Sequence, residues 1–168
     1  MPKATDCLSI LLVVSTISLM PACGNFGCPS LNDNVTWMSY GHFNFGSAGD
    51  DGTARNCVLH CGWSVFEGHN GGFGDTLQVA SSSAAVVFAW AYNNFAGFRV
   101  TQGWTGETDR GAKLGDTLGK FQGLYPEFTV IDENQLEISN PKTGLFVDAY
   151  FDDKGLLTEL NVGSYISR

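Results

Sequence analysis

The stretch Leu145-Phe146-Val147-Asp148-Ala149-Tyr150-Phe151-Asp152-Asp153-Lys154-Gly155-Leu156-Leu157-Thr158-Glu159-Leu160-Asn161-Val162 decides the fold. Two apolar-rich runs flank Asp152-Asp153-Lys154-Gly155, a set of turn-forming residues, so the segment reads as a hairpin of strands 145–151 and 156–162. Immediately upstream, Asn140-Pro141-Lys142-Thr143-Gly144 and Asp132-Glu133-Asn134 are further turns. They separate strands at 136–139 and 128–131 and complete an antiparallel meander. Ahead of it, Asp116 or Thr117 can cap a short helix with Leu118, Phe121 and Leu124 on one side, stopped by Pro126. Gly119 and Gly123 each weaken that helix by about 1 kcal/mol relative to alanine, so packing must hold it. A helix followed by a meander predicts an α+β fold: an antiparallel β-sheet of hairpins and a meander, with one or two short helices.

The first half has less regular spacing. Residues 35–45 predict one strand, with Trp37, Phe43 and Phe45 on one face and Tyr40 and His42 on the other. Residues 46–52 and 68–75 are glycine-rich loops. Between them, residues 57–66 alternate as a strand, with Cys57, Leu59, Cys61, Trp63 and Val65 on one apolar face. At 84–92 large residues (Val86, Phe88, Trp90, Tyr92) alternate with small ones, as suits a strand covered on both sides. Residues 93–97 then turn the chain into a strand at 98–104. A faint echo links the halves: Gly74-Asp75-Thr76-Leu77 recurs as Gly115-Asp116-Thr117-Leu118, and Ala91-Tyr92 as Ala149-Tyr150. The spacings differ, so this is no fixed-period repeat.

At the start, Lys3 precedes the apolar run 8–14, and Ala22-Cys23-Gly24 offers a small-residue exit. That is the form of an export signal, and residues 1–22 are assigned to it. Residues 23–34 read as a tether and 35–168 as a single α+β domain, divisible into halves 35–104 and 105–168. Ala22-Cys23-Gly24 resembles a lipobox with Met20 in place of the usual leucine, which makes Cys23 the lipidation candidate. The alternatives are release from an ordinary small-x-small site, starting at Asn25, or cleavage after Ala22 without lipid. The expected localisation is outside the cytoplasm: lipid-anchored at the outer membrane or cell surface, or secreted or periplasmic.

The chain has 17 Asp and Glu against 9 Lys and Arg, a net charge of −8. This argues against nucleic acid as a partner. The 21 glycines favour turns and short strands over long helices. Of five cysteines, Cys7 leaves with the signal, and oxidising surroundings make Cys28, Cys57 and Cys61 disulfide candidates. On a strand, Cys57 and Cys61 would lie about 13 Å apart, too far to bridge each other, so one of them is expected to bond Cys28.

Thr108, Gly111, Gly115-Asp116-Thr117, the short helix and the segment Asp148-Ala149-Tyr150-Phe151-Asp152-Asp153-Lys154-Gly155-Leu156 together resemble small bacterial exported lipoproteins. The outer-membrane assembly lipoproteins of the SmpA/OmlA type and the β-lactamase-inhibitor proteins are similar in this helix-plus-antiparallel-sheet plan. The resemblance covers about residues 105–163. It implies protein binding or scaffolding in an envelope complex, without a catalytic centre or cofactor.

His42, His60, His69, Cys57, Cys61 and Glu67 are zinc-type ligands without a finger spacing, so no metal site is assigned. Cys61 beside a histidine base has the parts of a nucleophile but no family signature. Asp50-Asp51-Gly52 and Asp152-Asp153-Lys154-Gly155 supply oxygens but read as turns rather than calcium loops. Glu67, Glu107, Asp75 and Asp109 near Trp63, Phe73 and Trp104 are the ingredients of a glycosidase or carbohydrate site, with Trp104 expected to be exposed and Trp90 in the core. The first expectation is therefore an exported, lipid-anchored, non-enzymatic binding or scaffolding protein whose partner is another envelope protein. The alternative is a secreted hydrolase or carbohydrate-binding protein using Trp63, Trp104, Glu67 and Glu107.

Overall fold

A computed structural model describes residues 27–44, 51–66, 76–91, 94–140, 142 and 144–164. In chain order its elements are β1 (Val35–Thr36), β2 (Ser39–Tyr40), β3 (Phe43–Asn44), α1 (Asp51–His60), β4 (Ser64–Phe66), β5 (Thr76–Ala80), β6 (Val86–Ala91), β7 (Asn94–Val100), α2 (Leu118–Leu124), β8 (Thr129–Asp132), β9 (Gln135–Asn140), β10 (Leu145–Phe151) and β11 (Leu157–Ser164). The fold is a sheet-dominated α+β structure, antiparallel in its strand pairings.

The main sheet has eight strands in the order β4-β5-β6-β7-β11-β10-β9-β8. Each of two units is a helix followed by a four-stranded meander: α1 with β4–β7, and α2 with β8–β11. The fourth strands of the units, β7 and β11, pair antiparallel at the centre. Register then sorts the side chains. Phe88, Phe98, Val162, Val147 and Ile138 form one cross-strand row, and Val86, Val100, Leu160, Ala149 and Leu136 form the next. Every member except the partly buried Ile138 is buried, so this is the core face.

The helices and the β1–β3 meander cover that face. Tyr40 meets Phe88 and Phe98 edge-on at 5.0 and 5.5 Å. Phe121 of α2 sits 5.7 Å from Phe151 and 5.1 Å from Tyr125 and Phe128. Such tilted pairs add about 0.5–1.5 kcal/mol each beyond area burial. Helix α2 starts where the sequence put it: the Thr117 hydroxyl accepts from the Lys120 amide at 3.3 Å. Its two glycines are tolerated because Phe121 is fully buried.

Two expected strands differ. Residues 57–60 lie in α1, not in a strand, and only residues 64–66 of that stretch are extended. Alternation and helical periodicity overlap in so short a window, and burial decides between them. Cys57 and Val58 are both buried, Leu59 is intermediate and His60 exposed, a helical sequence of exposures. Gly62, at φ +85°, closes the turn after the helix. Residues 35–44 form three two-residue strands rather than one, because Gly41 (φ +54°) permits a second reversal. Register then aligns Val35, Tyr40 and Phe43, all buried, on one row, where a single strand would have split Tyr40 from Phe43.

The hairpin β6–β7 forms as expected, but β7 begins at Asn94, so part of the predicted turn is strand. Strand β5 occupies a stretch to which the sequence pattern assigns no element. Residues 30–34, which composition places in the tether, run alongside residues 104–108. Thr105 N donates to Leu31 O (2.8 Å), Val35 N to Glu107 O (2.9 Å), and Trp104 Nε1 to Asp33 O (2.9 Å). Gly106 has no room for a side chain there, since a Cβ would fall 2.2 Å from Asp33 O.

Cys28 and Cys61 form a disulfide with a sequence separation of 33, fastening this N-terminal strip to the end of α1. Closing a loop of that length stabilises the fold by about 3–4 kcal/mol on the chain-entropy model. The paired variant Cys28→Ser/Cys61→Ser is expected to lose about that much in urea unfolding, with the m-value rising as the unfolded chain expands. At the β7–β11 seam, a Cβ on Gly97 would stand 2.5 Å from Val162 O. Gly97→Ala is expected to cost about 1–3 kcal/mol, read from the shift of the same unfolding midpoint.

Candidate functional site

The second face of the C-terminal meander is built by the residues that alternate with the core. One cross-strand row runs Arg99, Asn161, Asp148, Glu137, Thr129; the next runs Glu159, Tyr150, Gln135, Asp132. Four carboxylates thus surround Tyr150 and Gln135 on one side of a sheet whose helices lie on the other. Gln135 Nε2 donates to Asp148 Oδ1 at 3.3 Å and reaches the Tyr150 hydroxyl at 3.5 Å.

The electrostatics follow from that crowding. Burial pushes the Asp148 carboxyl up; the Gln135 hydrogen bond pulls it down, and neighbouring Glu137 pushes it up again. Glu159 is likewise raised, first by burial and further by Asp148, against the opposing charge of Arg99. The Tyr150 phenol is raised by burial and then by Asp148, Glu159, Glu137 and Asp132 together. The face is a negative surface whose charges are incompletely compensated. Arg99 keeps its Nε buried without a hydrogen-bond partner. Among the described residues, no three His, Cys, Asp or Glu side chains gather to hold a metal ion.

The acidic face borders an open rim. β8 is the last strand of the sheet, exposed along its length, with Val130 58% and Ile131 51% accessible. Ile131 is an extra residue between the Val130–Leu136 and Asp132–Gln135 pairs, a bulge that breaks the ladder at this edge.

The residues singled out from sequence are dispersed. Trp104 is a correction: it is 3% exposed and anchors the N-terminal strip rather than facing a ligand. Trp90 is in the core, and Trp63 is partly buried against Phe88 at 4.9 Å. Glu107 pairs with Lys113 at 3.1 Å, while its backbone holds Val35 and Asn34. Asp109 accepts the Tyr125 hydroxyl at 2.6 Å, and that phenol, buried and beside a carboxylate, is pushed up to about 12. Glu67, His69, Asp75 and Cys23 lie outside the described residues. Cys61 is bonded to Cys28 and Cys57 is disulfide-bonded too, so neither is the thiolate that a zinc site or a nucleophile requires. Asp152 accepts from the amides of Lys154 and Leu156, each at 2.9 Å, which makes it a turn residue.

Sequence reasoning missed Asp148, Glu159, Glu137 and Tyr150 as a group. Their alternation with Val147, Ala149, Leu160 and Leu136 was visible in each strand. Only the cross-strand register brings them together. Comparison with protein-family models, curated proteins and solved structures finds no match to this chain.

A raised carboxylate binds its proton more tightly in the folded state. Its favourable contribution is therefore complete below the unfolded pKa of about 4 and is lost as pH rises through the folded value. Asp148→Asn, which keeps an oxygen for Gln135, is expected to melt higher than the wild type at neutral pH. The difference should vanish near pH 4 in thermal melts recorded across that range.

Proposed function

We propose that this is an exported, non-enzymatic binding protein whose acidic sheet face captures a basic surface of another envelope protein. The observation that carries the reading is the cluster of Asp148, Glu159, Glu137 and Asp132 around Tyr150, with Asp148 and Glu159 held above their ordinary range. These charges repel one another and are partly desolvated. A lysine or arginine from a partner would relieve both penalties, so the face is better suited to being covered by cations than to standing alone. Val130, opposite Leu136, and Ile131 at the bulge add exposed apolar surface along the same sheet edge.

The plan of α2 followed by β8–β11 supports the same reading. It is the arrangement through which residues 105–163 resemble the SmpA/OmlA-type lipoproteins and β-lactamase-inhibitor proteins, whose work is binding. Of the residues named for the hydrolase reading, Trp104 is buried and Glu107 pairs with Lys113, which favours the binding reading over it.

A panel of lysine- and arginine-bearing peptides, titrated by calorimetry, tests the proposal. Binding should weaken steeply with salt, and Asp148→Asn/Glu159→Gln should lower affinity about tenfold or more. Equal affinity of that variant and the wild type, with no salt dependence, would overturn it.

A further inference from the structure

We propose that β8 accepts an extended segment of the partner as a ninth strand, a segment in which basic and apolar residues alternate. This specifies what the acidic face captures, and it rests on the reading of that face as a surface for cations. β8 ends the strand order, so among the described residues no strand lies along its outer side. All four of its residues, Thr129–Asp132, are exposed. An open edge is a row of N–H and C=O groups that a second extended chain can satisfy.

The two faces of the sheet specify the side chains of that segment. On the polar face, the row through Asp148 and Glu137 reaches β8 at Thr129, and the row through Tyr150 and Gln135 reaches it at Asp132. On the core face, the row through Ala149 and Leu136 reaches β8 at Val130, which is 58% exposed. A strand laid along β8 continues all three rows. Its residues opposite Thr129 and Asp132 fall on the acidic face, and the residue between them extends the apolar row beyond Val130. The segment therefore reads basic, apolar, basic. Asp132 uses Oδ1 to accept from the Asn134 amide at 2.8 Å, and an incoming cation would meet its other oxygen.

Charge selects this edge and this occupant. At the opposite edge the row from Arg99 runs through Val87 and Ala80 to Ser64 and holds no carboxylate. A second copy is disfavoured. Two chains joined β8 to β8 about a two-fold axis would lay their acidic faces side by side, each chain carrying −8. The bulge at Ile131 keeps the ladder short, which suits a brief segment better than a long flat strand.

The test uses a peptide of alternating lysine and valine, about six residues long, as an ordinary strand is. Calorimetry with the whole chain at low salt compares it with the same peptide methylated on every backbone nitrogen, which keeps the side chains but cannot donate. The unmodified peptide is expected to bind about tenfold or more tightly than the methylated one. It should also slow hydrogen exchange at the amides of residues 129–132. Equal affinity of the two peptides, or protection confined to amides outside β8, would overturn strand addition. If Asp148→Asn/Glu159→Gln then weakens both peptides alike, the acidic face still captures cations and only the ninth strand is lost. If neither peptide binds, both readings fall.

Discussion

The pairing of β7 with β11 is the constraint on which the rest of the molecule depends. It is the one place where the two meanders join in the eight-stranded sheet, and its register aligns Phe98 with Val162 and Val100 with Leu160. A slip of one residue would put the two strands out of phase, turning either Phe98 and Val100 or Val162 and Leu160 to the polar face and bringing Arg99 or Asn161 into the aromatic core. Gly97 makes the approach of β7 to β11 feasible, and Gly163 makes room for Phe146 of β10. Gly97 faces Gly163, and a Cβ on Gly163 would fall 2.3 Å from the Phe146 ring. The seam is therefore specified twice, by apolar phase on one face and by missing side chains on the other.

The C-terminal unit was legible because each of its signals was local. Pro126, the Asp152–Gly155 connection and the threonine cap fix ends within a few residues of where they act, and Leu145–Phe151 forms a strand over the residues expected. The N-terminal unit was not, for two physical reasons. Alternation over 57–66 could not be told from a helical face, and the helix is selected by long-range burial of Cys57 and Val58. Residues 35–44 reverse twice, the second time at a glycine of positive φ, which the apolar pattern does not reveal. The echoed motifs divide likewise. Ala91 and Ala149 lie in the third strand of each meander, whereas Thr76-Leu77 begins β5 and Thr117-Leu118 begins α2.

The acidic face shows why a site can be readable in its parts and hidden as a whole. Each strand displays its polar alternate positions, but Asp148 meets Glu137 and nears Glu159 only through the exact register of two successive hairpins. Trp104 and Glu107, which have the chemistry of a ligand site, are structural. They hold residues 31–35 against the following loop, using an indole N–H and backbone groups that satisfy one another. Large aromatic and charged side chains near a loop serve such anchoring as readily as they serve recognition.

The order of the strands has a consequence for synthesis. The strand made last of the eight, β11, occupies an interior place beside β7, which is made fourth. Until residues 157–164 emerge, β7 presents an unfilled backbone ladder flanked by Phe95 and Phe98, an invitation to pair with a neighbouring chain. Such a protein gains from staying unfolded until the whole chain is on one side of a barrier. Translocation before folding would meet that requirement without a dedicated chaperone for the half-built sheet.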